Sequence, residues 1–94
     1  MQNEFKIEAD LDLMLNGAVF AEQVRCDVFV TSDLNDDMEV TAVWIESLSG
    51  APVTAKIDRY NPMHKLFFDA AYTSKHVNST FYELRNEARF QGAA

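Results

Sequence analysis

Ten consecutive residues near the amino terminus alternate strictly between charged and apolar side chains. The charged positions are Glu4, Lys6, Glu8, Asp10 and Asp12, and the apolar positions are Phe5, Ile7, Ala9, Leu11 and Leu13. A period of two is typical of a β-strand that places one face on a core and the other in water. The segment is therefore predicted to be a two-faced strand, which restricts the chain to folds that contain an amphipathic sheet.

The dipeptide Asn16-Gly17 follows this strand and predicts a β-hairpin, because a type I′ turn needs positive φ at both central residues. The predicted register gives two pairs of opposite charges on the outer face: Glu8 with Arg25, and Lys6 with Asp27. Each such pair stabilises a ladder by about 0.2 to 1 kcal/mol. The same register places Glu22 opposite Leu11, so a β-bulge is expected over residues 21–23.

Two further strands are predicted at residues 39–48 and 53–58, after a polar loop over residues 32–37. The segment Ser49-Gly50-Ala51-Pro52 is rich in turn residues and joins these strands into a second hairpin. In the third strand the apolar residues occupy both faces: Val40, Ala42 and Trp44 on one, Val43 and Ile45 on the other. Both faces of this strand are therefore expected to be covered.

The apolar spacing becomes helical from Asn61 onwards, where Asn61 is a favourable N-cap and Pro62 suits the first helical position. The first helix has an apolar stripe: Met63, Leu66, Phe67 and Ala70. Thr80 and Glu83 have the spacing of a capping box, which predicts a second helix that ends near Gly92. The order β-β-β-β-α-α predicts a single α+β domain over residues 1–94. Its two layers are a four-stranded, mainly antiparallel sheet of two β-hairpins and one or two C-terminal helices.

The charge of the chain is strongly acidic and unevenly distributed. The net charge is −7, and ten of the 15 acidic residues lie within the first 39 positions. Direct binding to nucleic acid needs clustered Lys and Arg, so it is not expected. No apolar run approaches the roughly 18 residues of a membrane span, and the acidic amino terminus does not match a secretory signal. The expected location is the cytoplasm, away from the membrane.

The sequence contains no motif for catalysis, for a cofactor or for a resident metal. The alternating acids of residues 33–39 resemble the start of a calcium loop, but the required glycine and glutamate at positions six and twelve are missing. His64 and His76 do not have the spacing of zinc ligands on a helix. Cys26, the single cysteine, occupies an inward position of the predicted hairpin and is expected to be a small core residue.

Two surfaces are expected to bind a partner. The first consists of carboxylates outside the predicted ion pairs: Glu4, Asp10, Asp12, Asp33, Asp36 and Asp37. The second is an apolar cluster predicted on the sheet face opposite the core: Phe29, Val43 and Ile45. The first favours an electropositive partner, and the second favours a protein contact or a homo-oligomer. The alternatives are that the acids are only solvated and that the second helix covers the cluster.

A short acidic chain with two predicted hairpins and a helix opened by Asn61-Pro62-Met63 resembles the small accessory proteins of bacteriophages in size and organisation. This resemblance implies a protein that binds a host or viral protein, and it assigns no functional residue. The sequence therefore predicts a non-enzymatic protein-interaction module that self-associates. Two alternatives stay open: an acidic inhibitor or DNA mimic that occupies the basic cleft of a nucleic-acid-binding protein, and a small enzyme.

Overall fold

The computed structural model describes residues 4–48 and 51–92, which form a four-stranded antiparallel sheet with two helices on one face. The elements are β1 Phe5–Leu15, β2 Ala18–Ser32, β3 Met38–Leu48, β4 Ala51–Asp58, α1 His64–Thr73 and α2 Lys75–Gly92. The strands lie in the order β1-β2-β3-β4, and both helices pack mainly on β1 and β3. The predicted α+β class and element order are confirmed. The predicted turn at Ser49 and Gly50 lies outside the described residues.

The two-faced character of β1 is confirmed. Its inward residues are at most 3% exposed from Ile7 to Leu13, and they pack beside inward residues of β2 that are at most 1% exposed: Val24, Cys26, Val28 and Val30. The charged residues of β1 are exposed on the opposite face. The predicted turn is also confirmed, since φ is 53° at Asn16 and 80° at Gly17. The hairpin therefore forms one wall of the core.

A β-bulge interrupts the hairpin at the place where the sequence predicted one. Gln23 has a φ of 51°, and its backbone N–H donates to Oδ1 of Asp12 at 2.9 Å. The register shifts on both sides of Leu13, by two residues in total, so the inward residues stay inward. Every charge beyond the bulge nevertheless has a different neighbour from the predicted one.

The two predicted charge pairs are consequently wrong. Glu8 lies opposite Asp27, a residue of like charge, and Lys6 lies opposite Phe29. Arg25 instead lies opposite Asp10, and its guanidinium makes a salt bridge to that carboxylate at 3.3 Å. An exact two-residue loop predicts the register only as far as the next bulge, because each extra residue moves all later pairs along the ladder.

A second bulge in β3 corrects the predicted positions of Val43 and Ile45. Val30 lies opposite Val40, whereas its neighbour Phe29 lies opposite Ala42, so β3 holds one extra residue there. One extra residue reverses the alternation of every residue that follows it. Val43 is therefore fully buried and Ile45 is 8% exposed within the core. Neither residue belongs to the open sheet face, where Phe29 has Ala42 and Trp44 as its neighbours instead.

Both helices begin at different residues from those predicted. Asn61 stabilises a turn before α1, because its Oδ1 accepts the N–H of Met63 at 2.8 Å and its carbonyl accepts the N–H of His64 at 2.9 Å. Ser74 separates the helices, and its Oγ accepts the N–H of Val77 at 3.2 Å, as an N-cap does. Thr80 lies within α2, so the predicted capping box is wrong.

The helices close the core with one apolar side each. Phe67 and Ala71 of α1 and Val77 and Phe81 of α2 are at most 6% exposed. The ring of Phe81 meets that of Phe5 edge to face, with centroids 6.2 Å apart. All of this packing lies on one side of the sheet, so the other side remains open.

The reversal in β3 predicts effects of very different size for the same substitution at two adjacent residues. Val43→Lys is expected to lower the free energy of unfolding by about 3 kcal/mol or more, because it places a charge in the core. Trp44→Lys is expected to change it by less than about 1 kcal/mol, because the new ammonium reaches water and faces Asp27. Urea unfolding of dilute protein, followed by far-UV circular dichroism, measures both. Equal losses in the two variants would contradict the observed register.

Candidate interaction surfaces

The tip of the first hairpin exposes large apolar side chains on both of its faces. Residues 14–20, which we call the apolar arm, include four that are 50 to 58% exposed: Met14, Leu15, Val19 and Phe20. The arm contains the turn at Asn16-Gly17 and ends before the bulge at Gln23. Single exposed apolar residues are common in soluble proteins, but a contiguous group of this kind marks a contact surface.

A groove separates the apolar arm from the beginning of α1. The groove has a volume of about 390 Å³ and is lined by Met14, Leu15, Asn16, Phe20, Pro62, Met63, Lys65, Leu66 and Asp69. Met63 is itself 46% exposed, so apolar surface lies on both walls. Only Lys65 and Asp69 carry charge there. The arm groove is therefore an open apolar trough with a narrow polar border.

The sequence contains a signal for this surface that the periodicity of β1 alone does not reveal. The strict alternation of β1 stops at Leu13, and the next two residues, Met14 and Leu15, are both apolar. Val19 and Phe20 are likewise adjacent and apolar beyond the turn. Consecutive apolar residues in an exposed hairpin must leave one member of each pair facing water, because successive side chains point to opposite faces.

The second surface is the sheet face that the helices leave uncovered, which we call the open face. Two rows of directly opposed residues cross it. The first row consists of Lys6, Phe29, Ala42 and Asp58. The second row consists of Glu8, Asp27, Trp44 and Lys56. A cleft of about 360 Å³ lies over Ala42, and its walls include Phe29, Trp44 and Lys56. The open face thus combines an aromatic centre with charged edges.

Three of the predicted partner-binding acids lie on or beside this face, and each has a local contact. Asp10 makes the salt bridge to Arg25. Asp12 accepts the backbone N–H in the bulge. Glu4 Oε2 accepts a hydrogen bond from the Thr41 hydroxyl at 3.2 Å. These carboxylates stabilise the sheet locally in addition to being exposed.

Two of the three predicted acids of the 33–37 loop, Asp33 and Asp36, stabilise that loop. Oδ1 of Asp33 accepts the backbone N–H of Asn35 at 2.8 Å and of Asp37 at 3.0 Å. Asp36 has a φ of 67° and is anchored by Arg85 of α2, whose Nη1 donates to its carbonyl at 2.6 Å and lies 3.4 Å from its Oδ2. The loop is therefore an ordered corner fixed to α2.

A crowded group of carboxylates lies on the β2–β3 part of the open face. A side-chain hydrogen bond with Asp27 raises the pKa of Glu46, and partial desolvation and the charges of Asp27 and Glu8 raise it further, against the lowering effect of Arg25. That hydrogen bond needs a proton on one carboxylate. Oδ1 of Asp27 is itself buried and has no hydrogen-bond partner among the described residues. The neighbouring carboxylates thus favour the protonated form of Glu46.

The nucleophilic and imidazole side chains have structural positions. Burial, followed by the charges of Asp27, Asp10 and Glu46, raises the pKa of the Cys26 thiol to about 12, so it stays protonated at neutral pH. Nε2 of His76 lies 3.1 Å from the carbonyl oxygen of Glu8. Nδ1 of His64 lies 2.9 Å from the carbonyl oxygen of Asn61. Within residues 4–48 and 51–92, no three metal-ligating side chains come together.

The raised pKa of Glu46 predicts a pH-dependent effect of Glu46→Gln. The pKa of Glu46 in the folded protein lies above the ordinary glutamate pKa of 4.5. Such a carboxyl contributes most to stability below pH 4.5, and this contribution is lost as the pH rises through the folded pKa. Removing the charge is therefore expected to raise the thermal midpoint at pH 7, and this advantage is expected to disappear below about pH 4.5. Circular dichroism melts across this range measure it.

Asp10→Asn is the matched control for Glu46→Gln, because it removes an exposed carboxylate that pairs with the same Arg25. It is expected to give no increase in midpoint at pH 7, since the lost charge has a favourable partner. An equal increase in both variants would show that only the reduced net charge matters.

Comparisons of the chain with protein-family models, with curated proteins and with solved structures gave no match. No helix within the described parts of the chain is both long and apolar enough to cross a membrane. The function is therefore inferred from the arm groove and the open face themselves.

Proposed function

We propose that this chain is a non-enzymatic protein-interaction module whose arm groove binds an apolar segment of a partner protein. The observation that carries this proposal is the apolar arm, where four large side chains are at least half exposed, together with Met63 of the facing wall, which is 46% exposed. Burying such side chains against a partner contributes about 25 cal/mol per Å² of apolar surface, before the costs of association. The groove is open at its surface and has room for a short segment of chain.

The charge of the protein favours a basic partner. The net charge is −7, so the long-range field attracts Lys and Arg and repels acidic chains. The groove itself carries only Lys65 and Asp69, so the apolar contact decides the affinity there. We therefore expect the bound segment to have an apolar centre and basic flanks.

The positions of the reactive side chains support binding over catalysis. Cys26 is buried and protonated, and Asp10, Asp12, Asp33 and Asp36 each stabilise a local structure. A catalytic acid or base needs a cleft in which its protonation state is tuned and its proton can be transferred to a substrate. The arm groove has apolar walls and contributes contact surface instead. The accessory role implied by the resemblance to bacteriophage proteins is part of this proposal.

A peptide library displayed on beads tests the module with the whole chain as labelled bait. We expect enrichment of peptides with two or three large apolar residues flanked by Lys or Arg. Phe20→Ser and Met63→Ser are each expected to weaken binding of an enriched peptide by about tenfold or more, because each removes a large contact from one wall. Fluorescence anisotropy with the synthetic peptide measures the dissociation constants.

Leu34→Ser is the matched control, because Leu34 is 99% exposed in the 33–37 loop and lies outside the groove. It is expected to leave peptide binding unchanged. Failure to enrich any peptide, or equal weakening by Leu34→Ser and Phe20→Ser, would contradict the assignment of the groove.

The second candidate is an acidic inhibitor that occupies a basic nucleic-acid-binding cleft. It is favoured by the carboxylates that crowd β1, β2 and β3 on the open face: Glu8, Asp10, Asp27 and Glu46. Arg25 lies among them and reduces the resemblance to a continuous row of phosphates.

If the protein is such an inhibitor, it is expected to capture proteins that also bind DNA–cellulose at about 0.05 M salt. The captured proteins are expected to be released near about 0.5 M salt, because salt shortens the range of the interactions between exposed charges. The double variant Glu8→Gln with Asp10→Asn is expected to abolish this capture, whereas Phe20→Ser is expected to preserve it. Capture that survives high salt, or that requires Phe20, contradicts the inhibitor and favours the arm groove.

A further inference from the structure

The two rows of the open face are complementary to their own reversed order. The first row runs from β1 to β4 as a cation, a large aromatic, a small alanine and an anion: Lys6, Phe29, Ala42 and Asp58. The second row runs as two anions, an aromatic with an N–H donor and a cation: Glu8, Asp27, Trp44 and Lys56. When each row is laid over the same row in reverse order, every cation lies over an anion. In the first row, the large aromatic side chain also lies over the small alanine.

We propose that the open face binds the open face of a second copy of this chain in a two-fold symmetric dimer. The two-fold axis runs parallel to the strands, between β2 and β3. Such an axis places β1 over the partner's β4 and β2 over the partner's β3, and it keeps each row over itself. Packing of two sheets face to face with nearly aligned strands is a common arrangement. The inference concerns a different surface and a different partner from those of the arm groove, so it does not depend on the proposed function.

Charge complementarity at the edges supports this arrangement. Glu8 lies over the partner's Lys56, and Lys6 lies over the partner's Asp58, so the dimer contains four pairs of opposite charge. Among the described residues, neither Glu8 nor Lys56 makes a salt bridge within its own chain. They lie on opposite edge strands, three strand spacings apart, so they are too distant to pair intramolecularly.

Shape complementarity at the centre supports the same arrangement. Ala42 forms the floor of the cleft, and Phe29 and Trp44 belong to its walls. In the dimer the partner's Phe29 lies over Ala42 and fills this cleft, and the symmetric contact fills the partner's cleft. Ala42 is 6% exposed but lies outside the hydrophobic core cluster, which is consistent with its position on the other side of the sheet.

The alternative two-fold axis, perpendicular to the strands, is electrostatically unfavourable. It would place β1 over the partner's β1 and bring the acidic edge around Glu8 against its own copy. The face itself is large enough for a specific contact. Four strands spaced about 4.8 Å apart and about 25 Å long present on the order of 500 Å² per copy, or about 1,000 Å² in the dimer.

Sedimentation equilibrium on the full chain tests the dimer by charge reversal. Glu8→Lys and Lys56→Glu each create two like-charge contacts in a homodimer, so each is expected to raise the dissociation constant by about tenfold or more. An equimolar mixture of the two variants is expected to regain dimer, because every edge contact then pairs opposite charges. Recovery on mixing cannot arise from misfolding of either variant.

Trp44 provides a second readout, because it is the single tryptophan of the chain. Its emission is expected to shift to shorter wavelength as wild-type concentration rises, in parallel with the dimer fraction. A wild-type chain that stays monomeric up to about 1 mM overturns the proposal. So does a dimer that neither charge reversal weakens, or one that Phe20→Ser dissociates, since the latter would assign self-association to the arm groove. Phe20→Ser that loses peptide binding while it keeps the dimer supports both surfaces independently.

Discussion

The positions of the β-bulges decide which side chains reach each surface of this protein. The register shifts on the two sides of Leu13 together move the β1–β2 pairing by two residues, so they preserve the faces and change only the neighbours of the charges. The bulge between Val40 and Ala42 adds one residue and reverses the faces of β3 beyond it. Val43 thereby enters the core, and Trp44 reaches the open face. Both the burial of the core and the composition of the open face depend on these local irregularities.

Strong periodic patterns and turn chemistry predicted most of the fold. The alternation of β1, the Asn16-Gly17 turn and the element order are as predicted, and so is the inward position of Cys26. Each rests on local stereochemistry, which the sequence carries directly. The bulge near Gln23 was also predictable, because an unshifted register placed a charge opposite an inward leucine.

The remaining errors arise where two local structures are both compatible with the sequence. In these places the sequence alone does not show which structure is more stable. The alternation of Val43 and Ile45 is compatible with either face of the sheet. Only their packing beside residues of β2 and β4 places them on the inward face. Ser74 and Thr80 are both acceptable helix caps, and tertiary packing of Val77 and Phe81 extends α2 back to Lys75. The arm groove combines residues 14–20 with residues 62–69, so no single segment could predict it.

The two proposed surfaces are geometrically compatible, and together they imply bivalency. A two-fold axis parallel to the strands leaves the strand direction unchanged, so both apolar arms of the proposed dimer lie at the same end. The open face and the arm groove share none of their lining residues. A dimer would therefore present two grooves at the same end, one on each of its outer faces, and a partner with two apolar segments that reach both would bind the second one at a high effective concentration. Self-association would thus raise the avidity of the module without any new contact in the groove.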